Sequence, residues 1–359
     1  MRLEQLHIEN LRNIATLDVA LAPGINVFVG PNGAGKSSIL EAAYLLSHAQ
    51  SFRLGATHDL IRRGEKRLAV AATARCGERA RRIALIRDDS SWHGRIDQTV
   101  TTNLGAVLGE TAVVCFEPGS HELIAGSGRE RRRFLDWGVF HVEHAYLATA
   151  ARYRRSLRQR NMALKNGAAD GELDAWDVEL ASAAAPMDLH RQQYFSRFRD
   201  RLAELAGQFL PELGEVNLAW DRGWPSDASL LDLLAQRRSL DRIRGHTSRG
   251  PHRADWLLRF EQAPQRGQLS RGQEKLCALA CVLAQARVHA DASGGWPVIA
   301  LDDLGSELDL EHQARVLDWL RRDADQVLIS GVDIPEPLRA EPDAITLFHV
   351  EHGSLRGLL

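Results

Sequence analysis

The chain of 359 residues has room for one large domain or two ordinary ones. Its apolar share of 44% and charged share of 26% are those of a globular protein, and a formal net charge of -2 gives the chain as a whole no electrostatic pull on nucleic acid. No apolar run approaches the roughly 20 residues of a membrane span, and Met1-Arg2-Leu3-Glu4-Gln5 does not open a secretory signal, so a cytoplasmic setting without a membrane is expected. The four cysteines, Cys76, Cys115, Cys277 and Cys281, lack the paired spacing of a zinc site and read as buried apolar residues. Only Lys36, Lys66, Lys165 and Lys275 are lysines, so nearly all positive charge is arginine.

In chain order, Leu3, Leu6 and Ile8 and then Leu17, Val19 and Leu21 predict two strands, the second alternating at period two. Ile25–Val29 is a short buried strand, followed by a glycine-rich turn and a helix whose Ile39, Leu40, Ala43 and Leu46 share a face. Strands are expected over 68–74 and 82–87. From about 130 to 164 apolar residues recur at helical spacing (Val139, Val142, Tyr146, Ala150, Tyr153, Leu157, Leu164). A turn at 165–171 precedes a second helical stretch from Leu173 to Phe209, with Pro186 expected to kink it. Two long helices joined by a short loop run antiparallel, so 130–210 reads as a helical hairpin. Beyond Pro211 come a strand at 216–220, a helix over 228–243, a strand at 256–258, a helix from 272 to 289, a buried strand at 298–301, a helix over 310–322 and a strand at 327–329. The expected domains are a discontinuous body, 1–129 plus 211–359, and an inserted lobe, 130–210.

Gly30-Pro31-Asn32-Gly33-Ala34-Gly35-Lys36-Ser37 fits the P-loop pattern in full, between a strand and a helix. Glycines let backbone amides close around a phosphate, and the helix start adds its dipole. Lys36 is then suited to the β- and γ-phosphates of ATP, Ser37 to Mg²⁺, and Ser38 completes the nucleotide-binding run. Val298-Ile299-Ala300-Leu301-Asp302-Asp303 is a buried strand ending in two carboxylates. These are either a helix cap or, beside a P-loop, a Mg²⁺ carboxylate (Asp302) and a residue that polarises the attacking water (Asp303). Lys36 and Asp303 are the expected catalytic residues.

Leu269-Ser270-Arg271-Gly272-Gln273 opens a helix shortly before the acidic strand, and Ser306-Glu307-Leu308-Asp309 follows it. These segments resemble the signature and D-loop of ABC-type ATPases. The implied fold is α/β: an ABC-type P-loop ATPase body, a mixed sheet with flanking helices, with an inserted α-helical hairpin lobe. The resemblance implies that Ser270, Gly272 and Gln273 of one copy close on the nucleotide of another. Ser270, Arg271, Gly272, Ser306 and Asp309 would then lie at the interface of an ATP-dependent homodimer.

The gap from Lys36 to Ser270 is too long for a transporter ATPase and far too short for an SMC coiled coil. Several further segments resemble the RecF family: Ile8-Glu9-Asn10-Leu11-Arg12-Asn13-Ile14, Ser51-Phe52-Arg53, Val113–Pro118, Glu130–Asp136 and Gly250-Pro251-His252-Arg253-Ala254-Asp255. That resemblance implies binding of DNA at gaps, where single and double strands meet, work with RecR and RecO in loading RecA, and slow, DNA-stimulated hydrolysis as a release timer. A non-DNA ABC-type subunit, or a scaffold with a vestigial ATPase site, is the alternative. The chain departs from the wider ABC pattern in carrying Asp303 rather than glutamate, no switch histidine in 327–332, and no Q-loop glutamine near Glu117. Residues that contact DNA are not marked. Arginine clusters at 62/63, 129/131/132/133, 152/154/155/158/160 and 237/238/242/244 are either phosphate contacts or solvated helix faces in an arginine-biased chain.

Overall fold

The computed structural model describes residues 1–53, 60–88, 91–265 and 267–356. In chain order these form β1 (Arg2–Leu11), β2 (Ile14–Ala20), β3 (Gly24–Val29), α1 (Lys36–His48), β4 (Arg67–Cys76), β5 (Arg79–Asp88), β6 (Ser91–Ile96), β7 (Thr99–Thr101), α2 (Leu104–Leu108), β8 (Val113–Phe116), α3 (Glu122–Ala125), α4 (Gly128–Val142), α5 (Tyr146–Lys165) and α6 (Asp170–Phe209). They continue with β9 (Val216–Asp221), α7 (Leu230–Gln236), α8 (Arg238–Arg244), β10 (Asp255–Phe260), α9 (Arg271–Ser293), β11 (Val298–Leu301), α10 (Leu304–Glu307), α11 (Leu310–Asp323), β12 (Gln326–Gly331), α12 (Glu336–Arg339), β13 (Ile345–Glu351) and β14 (Ser354–Arg356).

The chain divides into two compact units: 1–124 with 204–211 and 269–359, and 125–203 with 212–268. The first holds two six-stranded sheets. One is antiparallel, in the order β2-β1-β4-β5-β6-β7; the other runs β14-β13-β3-β12-β11-β8 and is parallel except at β14. Parallel strands are covered on both faces, which is why β3, β11 and β12 are buried along almost their whole length rather than at alternate residues. Helix α1 packs against β1, β4 and β5 of one sheet and β8, β11 and β12 of the other. Its Ile39, Leu40, Ala42, Ala43, Leu45 and Leu46 are wholly buried, so it is apolar around most of its circumference. The α/β body with an ABC-type arrangement and a long helical insertion is as expected.

The second unit is built on α4–α6, the hairpin β9–β10, and α7 and α8. It therefore takes in 212–268, expected in the body, while 204–210, expected in the inserted lobe, falls in the first unit. Trp256 of β10, itself buried, meets Phe195 and Phe198 of α6 ring to ring. That pairing is a tertiary contact that no local pattern announces. The expected first arm is two helices, broken at Glu143-His144-Ala145, where Glu143 leaves the helical backbone. Periodicity survives the break because Val139 and Tyr146 both face inward. The second arm runs unbroken through Pro186. The helix expected over 228–243 is two short ones meeting at Arg237.

Strands β6, β7, β8, β13 and β14 are additions to the sequence reading. Of the cysteines, Cys277 and Cys281 are buried as expected, whereas Cys76 is exposed and Cys115 half-buried. Among the described residues, no helix is long and apolar enough to cross a membrane.

Candidate nucleotide site

The P-loop leaves the end of β3 and enters α1, all within the first unit. Gly30 has φ +154, and a Cβ there would stand 2.2 Å from the Val350 carbonyl oxygen on neighbouring β13. No side chain fits without parting two strands. Lys36 folds back along the loop, its Nζ donating to the carbonyls of Gly30 at 2.8 Å and Pro31 at 3.0 Å. Burial pushes this ammonium below the ordinary lysine range, while Asp303 and Asp302 pull it back. The amides of Lys36 and Ser37 open α1 and have no helical carbonyl to meet. Asn13 pins the loop from the β1–β2 turn: its Nδ2 donates to the Gly33 carbonyl at 2.9 Å, and its Oδ1 accepts from Ser38 Oγ at 3.4 Å.

The parallel order β3-β12-β11 carries the end of the acidic strand toward this loop. Asp302 is 5% exposed. The Ser330 hydroxyl at the end of β12 donates to its Oδ1 at 2.5 Å and accepts from the Asp303 amide at 3.1 Å. Asp303 has φ 55, a left-handed conformation uncommon for a residue with a side chain. Held this way, its carboxylate is aimed by the backbone rather than by a rotamer alone.

A cavity of about 460 Å³ joins these groups. It is lined by Asn32, Gly33, Gly35, Lys36, Ser37 and Ser38 of the loop, by Asp302 and Asp303, and by Arg12, Asn13, Arg53, Pro118 and Ser330. The last five were not assigned roles from sequence. Arg12, Asn13, Arg53 and Pro118 lie in the family-like segments, and in the sequence Ser330 stands out only because 327–332 holds no histidine. Arg12 is tethered by Nε and Nη2 to the wholly buried Glu41 at 3.0 and 2.9 Å. Glu117, next to Pro118, caps the turn that follows β8 by accepting from the Gly119 amide at 2.6 Å. Burial raises its carboxyl to about 7, the Gly119 amide lowers it in part, and nearby Asp302 adds to the rise.

The donor set suits a Mg²⁺-nucleotide: a cation and helical amides for phosphate, with a hydroxyl (Ser37) and a carboxylate (Asp302) as hard oxygen ligands. The signature is placed differently. Ser270 caps α9, its Oγ accepting from the Gln273 amide at 3.3 Å while Gln273 Oε1 accepts from the Ser270 amide at 3.0 Å. Ser270, Arg271 and Gly272 are exposed, as are Ser306 and Asp309, and none of them nor Gln273 lines the cavity. Gly272 has open space where a Cβ would stand and an unexceptional φ, so nothing in its own fold demands glycine.

Comparison with known proteins agrees with this geometry. The family model described as the RecF/RecN/SMC N terminal domain matches residues 2–353. A DNA replication and repair protein RecF from Xanthomonas oryzae pv. oryzae is 46% identical, over 99% of this chain and 100% of its own length. The Stenotrophomonas maltophilia RecF is 44% identical over 99% of both chains, and that of Shewanella baltica 34% over 98% of both. A solved structure of the recombination mediator protein RecF with ATP superposes with a TM-score of 0.89 at 23% identity, covering 99% of this chain and 97% of that one. An Smc head bound to the winged-helix domain of ScpA gives 0.60 at 16%, covering 99% and 96%. With the family model spanning almost all of it and full-length relatives 34% to 46% identical, the chain belongs to the RecF family of DNA replication and repair proteins, ABC-type ATPases related to the SMC heads.

Proposed function

We propose that this chain is an ATP-operated clasp for DNA repair, acting in the cytoplasm. ATP binds the P-loop with Mg²⁺ and brings two copies together head to tail. The pair then engages DNA at gaps and acts with RecR and RecO so that RecA is loaded. Slow, DNA-stimulated hydrolysis releases it. The observation that carries this reading is the division of the site. The P-loop and both carboxylates converge on one cavity, whereas the capped α9 terminus, a second anion-binding helix end, is exposed and outside it. A second copy would complete what one chain lacks. The solved RecF complex with ATP supports the choice of nucleotide.

In this scheme Lys36 exchanges the Gly30 and Pro31 carbonyls for phosphate oxygens, and Ser37 and Asp302 would hold Mg²⁺, which neutralises phosphate charge. Asp303 orients the attacking water and accepts its proton. Ser330 keeps the two acids in fixed relation. ATP at a hundred times its dissociation constant stabilises the closed state by about 2.7 kcal/mol. Sedimentation velocity of the wild type and Asp303→Asn, with and without Mg²⁺-ATP and gapped DNA, tests the scheme. ATP should convert monomer to dimer, and Asp303→Asn should hold the dimer longer. A monomer under every condition refutes it, as does a Ser270→Arg variant that still pairs.

A further inference from the structure

The fold of the second unit sorts its arginines into two groups. Arg131, Arg152, Arg160, Arg191, Arg238 and Arg242 each meet a carboxylate: Asp255, Glu179, Asp177, Asp136, Asp174 and Asp170 respectively. Helix α5 carries six basic residues and no acidic one. Two of the six are engaged, Arg152 with Glu179 and Arg160 with Asp177 and Asp241. The other four, Arg154, Arg155, Arg158 and Lys165, are exposed, and among the described residues none of them has an ion-pair partner. At 100° per residue they fall within one arc of about 100°, Arg155 opposite the face that buries Tyr146, Ala150, Tyr153 and Arg160 and the other three along its flank.

An arginine-biased chain scatters its surplus cations. Other exposed arginines of this unit, among them Arg129, Arg133, Arg197, Arg244 and Arg249, also have no ion-pair partner among the described residues, but only on α5 do four such cations form a row on one helix that carries no carboxylate. The row spans about 16 Å from Arg154 to Lys165, along which one strand of B-DNA presents about five phosphates. Among the described residues the large apolar side chains exposed on α5 and α8 are Met162, within the row at 55%, and Ile243 at 84%, neither of them an aromatic that would stack on a base. The chemistry on offer is therefore sequence-independent phosphate contact.

We propose that the outer face of α5 is a docking surface for the phosphate backbone of DNA. This rests on the DNA-binding reading above and names the surface that serves it. The test is fluorescence anisotropy of a fluorescein-labelled gapped duplex with full-length protein and ATP, from 50 to 200 mM salt. Four phosphate contacts contribute a slope of about −3.6 to log K against log[salt]. The triple variant Arg154→Gln, Arg155→Gln, Arg158→Gln should bind at least about tenfold more weakly and with a slope shallower by about 2.7. Replacing the same three with Lys should restore both, and Arg152→Gln, already engaged by Glu179, should leave the slope unchanged. ATP-driven pairing should be intact in all of them. Wild-type affinity and slope in the triple Gln variant overturn the proposal and leave the row to an acidic protein partner. A wild type that binds the duplex without salt dependence overturns the DNA reading itself.

Discussion

Two glycines of the nucleotide machinery should respond to alanine with opposite signs. At Gly30 the new Cβ meets the Val350 carbonyl oxygen at 2.2 Å, where real Cβ contacts begin near 3 Å, so β13 must move by almost an ångström. That strand is locked to β3 by parallel pairing as far as His349 and Val29. Overpacking of this kind, added to an unfavourable φ of +154, should cost about 2–4 kcal/mol. At Gly272 the Cβ meets nothing within 4 Å, and the residue sits in the first turn of α9. Alanine there should leave the lone chain unchanged or more stable by up to about 1 kcal/mol, through helix propensity alone. Yet Gly272→Ala should weaken ATP-driven pairing at least about tenfold, or 1.4 kcal/mol, because its open side is where a second copy's nucleotide is proposed to lie. Urea titration without nucleotide measures the first pair of effects, and sedimentation with Mg²⁺-ATP the second. Equal destabilisation by both substitutions, or full pairing by Gly272→Ala, refutes the reasoning.

Ser330→Ala leaves the Asp302 carboxylate and the Asp303 amide each short of a partner, and should cost about 1–3 kcal/mol in urea titration. Its Mg²⁺-dependent gain in ATP affinity should fall, with Mg²⁺-free binding unchanged. Burial raises the Glu117 carboxyl to about 7 against an ordinary 4.5, so the fold holds that proton more tightly than the unfolded chain. Wild-type stability should therefore decline relative to Glu117→Gln between pH 4.5 and 7 and run parallel to it above 8, with a gap of at most about 3 kcal/mol. Parallel curves throughout that range count against it. Arg160→Met strands Asp177 and Asp241, both 1% exposed, although Arg238 still reaches Asp177. The loss should be about 3–5 kcal/mol, read as a lowered melting temperature, and Arg160→Met with Asp241→Leu should recover part of it.

The nucleotide loop was legible in the sequence because its chemistry is local: a strand, a turn of glycines and a helix start follow one another within a few residues. The strand leading into Asp302 and Asp303 was legible for the same reason, since β11, covered on both faces, shows as an unbroken apolar run. Helical periodicity marked α4, α5 and α6 but not the break between the first two, because inward-facing residues keep their rhythm across an interruption. What tertiary structure alone decided is adjacency. Ser330 stands 28 residues from Asp302 and bonds to it only because β12 lies beside β11. Arg160 and Arg158 look alike in the chain, and only the packing of α5 buries one among carboxylates and leaves the other in solvent. Trp256 joins 212–268 to the helical unit through ring contacts with α6, a choice made by long-range burial that no window of neighbouring residues contains.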